Sequence, residues 1–280
     1  MSADTRPKVV SLGHGGTSLG QLANAPLALV LAQVRFSPYL TIGSHIPTIQ
    51  DALRKQYPAF SHEKIQTIEF GPTFGPPKVE NEDLWNFTDA ENREGFVVQR
   101  NSLIFIATKY ETFEDFSERH AKLLTCFAGT IPDLLVERLG LRYVDLIVPN
   151  DGESPQEYVI PGLRGCEAQS LKAINFDSQA ISRWVFPNGH LLFRYSTGVK
   201  PPFLPQDLGS IKLDNAEVVN RAERAKSNVA SMDFDRIVNH KSPFNAKELS
   251  TLFKKMHDDL STIFKQSRNK HAEEVWNSKP

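Results

Sequence analysis

Two stretches of the chain are apolar on both faces of a strand and still carry charges inside the run. In a strand, successive side chains point to opposite faces. Across PLALVLAQVRF, opened by Pro26, one face holds Leu27, Leu29, Leu31, Gln33 and Arg35, and the other Ala28, Val30, Ala32, Val34 and Phe36. Across Leu134 to Pro149, LLVERLGLRYVDLIVP, one face holds Glu137, Leu139, Leu141, Tyr143, Asp145 and Ile147. The other holds Arg138, Gly140, Arg142, Val144, Leu146 and Val148. Neither face is uniformly polar, so the pattern predicts a strand covered on both sides, whose charges must find partners or water. Gly140 leaves a gap between Arg138 and Arg142 where a backbone or a ligand can approach.

The remaining pattern supplies the other elements. A helix is predicted over 47–57, with Pro47 at its first position and Ile46, Ile49 and Leu53 as its apolar stripe. Strands follow at 64–70, 83–88, 95–100 and 102–110, with a breaker-rich loop at 71–78. Thr112 caps a helix ending at Gly129, with Asp115 in a capping-box position and Phe113, Phe116, His120, Leu123, Leu124 and Phe127 facing inward. Beyond the central strand come a loop with a helical turn at 151–165, a hairpin over 178–197 around Asn188-Gly189, a connector at 199–207 and a strand at 228–238. Asn245 caps the last helix, with Glu248 three residues on. Its stripe Leu249, Leu252, Phe253, Met256, Leu260, Ile263 and Phe264 reads as core packing, and the helix is expected to run on to Trp276.

This order predicts an α+β protein: antiparallel sheets backed by helices, in two ferredoxin-like or related layers, with a long C-terminal helix. The expected organisation is a flexible N-terminal arm over 1–24, one α+β half over 25–150 and a second over 151–280. GHGGTSLG in the arm lacks the Gly-Lys-Ser/Thr ending of a phosphate loop and reads as linker.

The segments NAPLALVLAQVRFSPYL (24–40), IPTIQDALRKQYP (46–58), YETFEDF (110–116), VERLGLRYVDLIVP (136–149) and MHDDLSTIFKQSRNKHAEEVW (256–276) carry a resemblance. Through them the chain resembles the sporadically distributed family of uncharacterised bacterial proteins of about this length. The resemblance covers nearly the whole chain and departs near the end, where SRNKHAEEVW is more basic than the family's usual run. It implies a bacterial, cytoplasmic, accessory type of protein and supplies no catalytic residues.

Composition narrows the function classes. At 280 residues, with 40% hydrophobic and 23% charged positions, the chain has ordinary globular proportions. A net charge of -1 gives no global basic field for nucleic acid, although a local patch is compatible with it. Cys126 and Cys166 have no CxxC spacing, which argues against a disulfide scaffold and for a reducing compartment. No run reaches membrane-spanning length, so a cytoplasmic protein is expected.

Motif chemistry is sparse. The eight histidines are scattered, and the one metal arrangement worth testing pairs His257 and Asp258 with Asp233 or Asp235. No GxSxG elbow is present. Glu137 and Asp145 share a face, but eight residues of strand separate them by roughly 26 Å, too far for a catalytic pair. No cofactor is expected. The candidate binding residues are therefore Arg35, Glu137, Arg138, Arg142, Tyr143 and Asp145, read either as a cleft or as a structural ion-pair network.

Two functions compete. The leading one is a non-catalytic binding or assembly protein, engaging a protein partner encoded nearby through the charged cleft or a flanking helix. The alternative is an RNA-binding or RNA-processing protein, with Arg35, Arg100, Arg138 and Arg142 beside Phe96, Tyr110 and Tyr143 as a stacking surface and His120 or His190 as acid/base.

Overall fold

In the computed structural model the two charged strands lie side by side at the middle of one sheet. The structure describes residues 22, 24–69, 78–165, 177–201, 203–205, 208, 213–214, 217–226 and 228–278, the side chains of 66–69 and 78–80 excepted. The breaker-rich segment at 71–77, Cys166 and nearly all of the N-terminal arm lie outside the described residues.

Strand β1 (Leu27–Phe36) is followed by α1 (Ile46–Leu53). Four strands come next: β2 (Ala59–Glu69), β3 (Lys78–Thr88), β4 (Glu94–Gln99) and β5 (Ser102–Ala107). Then come α2 (Phe113–Thr130) and β6 (Leu135–Ile147). The second part holds β7 (Gln179–Phe186), β8 (Gly189–Val199), α3 (Glu217–Arg224), β9 (Val229–Pro243), α4 (Ala246–Ser267) and α5 (Lys270–Asn277).

The nine strands form one antiparallel sheet in the order β2-β3-β4-β5-β1-β6-β9-β8-β7. The protein is thus α+β as expected, but its two halves share one continuous sheet. From β1 the chain crosses to the far edge and returns strand by strand to β5, then enters α2. From β6 it crosses to the opposite edge and returns through β7, β8 and β9 to α4. The two paths match with one strand fewer in the second. In a ferredoxin-like unit a second helix would interrupt the strands. Here β2 to β5 run uninterrupted.

The main core lies on one face. Val30, Ala32, Val34 and Phe36 of β1 and Leu139 and Leu141 of β6 pack there against α1, α2, α4 and α5. The anticipated caps form: Asp115 N donates to Thr112 Oγ1 at 3.1 Å, and Glu248 N to Asn245 Oδ1 at 3.0 Å. Buried Glu94 braces three elements of this layer, accepting from Tyr57 Oη at 2.9 Å and from Arg119 Nε at 2.6 Å.

Three local expectations change. The final helix stops at Ser267, and Asn269 caps a separate α5 by accepting from Ala272 N at 3.0 Å. The break lets Trp276 fold back onto Phe264 and Tyr158. The hairpin turn is Pro187-Asn188 rather than Asn188-Gly189, because Phe186 pairs with Gly189. Gly189 has φ 152°, and a Cβ there would lie 2.1 Å from Ile237 O, so only glycine fits. The short helix α3 was not anticipated. Its eight polar-rich residues offer only Val218, Val219 and Ala222 as an apolar patch.

On the opposite face of the sheet the described residues cover one end. Between β8 and β9 the chain crosses it: Leu208 packs on Leu29, Ile106 and Val144, and α3 with Phe203 packs on Ala28 and Leu146. Thr108 Oγ1 donates to Asp214 O at 2.9 Å, pinning this excursion near the β4–β5 end. Among the described residues nothing is packed over the other end of the face.

Candidate binding face

Register places the open-face side chains in rows across the strands. One row runs Gln99, Ser102, Arg35, Arg138 and Asn239 on β4, β5, β1, β6 and β9. The next runs Val97, Ile104, Gln33, Gly140, Ile237 and His190. A third runs Ile106, Leu31, Arg142, Asp235 and Leu192, and a fourth Leu29, Val144, Asp233 and Arg194. The first three rows enclose a cleft of about 240 Å³ that includes Gln33, Gln99, Arg138, Gly140, Arg142 and Asp235, walled by Leu31, Leu84 and Ile237.

A bulge sets the aim of Arg138. Pairing on both sides of β6 skips Glu137, since Arg35 and Phe36 face Arg138 and Val136. Val136 and Leu139 therefore both enter the core beneath the helices, while Arg138 turns to the open face. Glu137 stays exposed at the bulge and accepts from Ser37 Oγ at 2.6 Å.

The arginines divide into two kinds. Arg142, 7% exposed, makes a bidentate pair with Asp233: Nε to Oδ1 at 2.7 Å and Nη2 to Oδ2 at 2.8 Å. Arg194 Nη1 reaches the same carboxylate at 2.9 Å. This is a structural clamp joining β6, β9 and β8, as the network reading expected. Asp235 lies opposite Arg142, and burial pushes its carboxyl up from the usual range against the pull of that guanidinium.

Arg35 and Arg138 differ. They sit directly opposite each other on adjacent strands, a like-charge pairing that costs stability. Half-buried Arg138 donates to Gln33 Oε1 at 3.3 Å, and burial together with the Arg35 charge lowers its pKa. Among the described residues no carboxylate lies within ion-pair distance of Arg35. Gly140 beside them has ordinary backbone geometry, and a Cβ there would touch only Gln33, at 3.8 Å.

Tyr143 and Asp145 are not part of this cleft. Alternation carries them to the helix face, where Tyr143 Oη lies 3.0 Å from His257 Nδ1 and Asp145 is buried beside Arg268. Burial pushes the Asp145 carboxyl up to about 8 while Arg268 opposes the shift. The expected single cleft thus splits: Arg35, Arg138 and Arg142 meet on one face, Tyr143 and Asp145 lie on the other, and Glu137 sits at the rim. The aromatics anticipated beside the arginines, Phe96, Tyr110 and Tyr143, also belong to the helix side. Gln33, Asp233 and Arg194 complete the site. In the sequence Asp233 stood out as an acid alternating with core residues in Met232-Asp233-Phe234-Asp235 and as a candidate metal ligand, not as a partner of Arg142.

The catalytic and metal options fare as follows. Asp233 and Asp235 face the open side and His257 the helix side, so they do not converge. Among the described residues no group of three His, Cys, Asp or Glu side chains could hold a metal ion. Ser242 Oγ lies 2.7 Å from His240 Nε2, but Glu248 approaches the same nitrogen at 3.4 Å. A relay needs the acid on the other ring nitrogen. His120 is buried among Phe105, Phe116 and Phe253, and desolvation lowers its pKa to about 3. His190 stands in the open-face row beside Ile237. Among the described residues no helix is long and apolar enough to cross a membrane.

Fold and site together define an α+β protein with a helix-backed antiparallel sheet and a charged, partly open face. Compared with protein-family models and with curated proteins, the chain matches none.

Proposed function

We propose that this is a non-catalytic binding or assembly protein that engages a protein partner through the open end of its sheet. The observation that carries the reading is the Arg35–Arg138 pair, two arginines set opposite each other on adjacent strands, with Arg138 lining a cleft that has aliphatic walls. Folding alone gains nothing from like charges in this position, whereas a partner bringing negative charge is steered towards them. The accessory role and cytoplasmic setting that the resemblance to uncharacterised bacterial proteins implies fit this reading.

RNA binding is the second reading, and the basic pair is what favours it. Single strands are held chiefly by stacking on aromatic rings. The residues lining this cleft are aliphatic or polar, which favours a protein.

The test places a photo-reactive amino acid at Gln33 or Ile237 on the open face, and at Lys122 on α2 as the control, in cells of the native host. One discrete protein adduct from the open-face positions, absent at Lys122, is the expected result. Equal labelling from both faces would sink the proposal. Adducts sensitive to ribonuclease would establish the RNA reading instead.

A further inference from the structure

We infer that Arg35 and Arg138 form a carboxylate seat, filled by an Asp or Glu side chain of an extended acidic segment lying across the strands. This deepens the proposed function and rests on it.

The register supplies the geometry. Directly opposite residues on adjacent antiparallel strands have Cβ atoms about 4.5 to 5.5 Å apart, so the Arg35 and Arg138 heads can close on one small anion. A carboxylate accepts a bidentate fork from one guanidinium and single N–H bonds from the other on its remaining lone pairs. Gln33 already orients Arg138 through its Oε1, and Ser102 Oγ donates to Gln99 Oε1, leaving the Gln99 amide NH₂ for a ligand. Gly140 holds the next row open beside them.

Charge and wall chemistry choose a carboxylate over phosphate. Asp233 and Asp235 stand on the same face, three and two rows along the strands from the pair, where they repel a polyanion that extends in that direction. The neighbouring walls, Leu31, Leu84 and Ile237, suit aliphatic side chains flanking the acid. The polar row from Gln99 to Asn239 crosses five strands, about 19 Å at the usual strand spacing, which about six extended residues cover. An alternating acidic and aliphatic segment meets all three conditions.

The experiment is calorimetric titration of the full chain with an alternating Glu-Val octapeptide, its Gln-Val counterpart and oligouridine. Saturable binding of the Glu-Val peptide alone is expected, weakened about tenfold or more by Arg35→Gln or Arg138→Gln. Both variants should retain the wild-type melting temperature. No saturation, equal binding of the Gln-Val peptide, indifference to both variants, or binding of oligouridine alone would each overturn the seat. The photo-adduct at Ile237 separates this from the parent reading. If it persists in an Arg35→Gln/Arg138→Gln double variant, the face is a partner surface but the seat is wrong. If it is absent even in the otherwise native chain, the surface itself has failed.

Discussion

Removing the Asp233 carboxylate tests the division of the arginines into structural and recognition groups. Asp233→Ala takes away the bidentate partner of Arg142, whose side chain is 9% exposed, and the contact of Arg194, which is 39% exposed. Breaking a buried pair from one side costs about 3 to 5 kcal/mol, because the remaining charge is left uncompensated. Arg194 can turn to water and soften this, so the lower end, about 3 kcal/mol, is expected. For a chain of this size that lowers the melting temperature by about 6 to 12 °C. Arg138→Ala removes a single 3.3 Å hydrogen bond and relieves the charge of Arg35, so its change should stay within about 1 kcal/mol. Replacing both members of the buried pair, with Arg142→Met and Asp233→Leu, should recover most of the loss. Urea unfolding followed by circular dichroism reads all three. If Asp233→Ala costs no more than Arg138→Ala, the clamp is not structural and the assignment of roles fails.

Further outcomes follow from buried groups. The folded Asp145 carboxyl is raised to about 8, so its contribution is complete below its unfolded value near 4 and is lost as pH rises to about 8. Asp145→Asn should flatten that decline in melting temperature between pH 5 and 8.5, and an unchanged profile would refute the buried setting. His120 and His257 are lowered to about 3 and about 4, so their contribution is present above about 6.5 and falls away in acid. His120→Phe should remove part of the acid loss, measured from pH 6.5 down to 4. Trp276→Ala empties the contact of α5 with Phe264 and Tyr158 and should cost about 3 to 5 kcal/mol in urea unfolding.

Much of this architecture was legible from local pattern. The alternation of β1 and β6 separated Arg138 and Arg142 from Tyr143 and Asp145 correctly, and the caps at Thr112 and Asn245 followed from their spacing. What alternation cannot say is which face receives the helices, and so the two sets were pooled into one cleft. The bulge at Glu137 depends on pairing with β1 and β9, strands about 100 residues away in either direction, and has no local signature. Long-range pairing also decides that Asp233 meets Arg142 and that Arg35 meets Arg138. The break at Arg268 was masked by a continuing helical pattern. It is specified by Asn269 as a cap and by the packing of Trp276.

The most direct measurement follows the arginine side-chain Nε–Hε resonances of the ¹⁵N-labelled protein while the Glu-Val octapeptide is added. The signals of Arg35 and Arg138, assigned with their glutamine variants, should move together and saturate, while Arg142, held by Asp233, stays in place. Equal movement of all three, or of none, would contradict a recognition pair set beside a structural clamp.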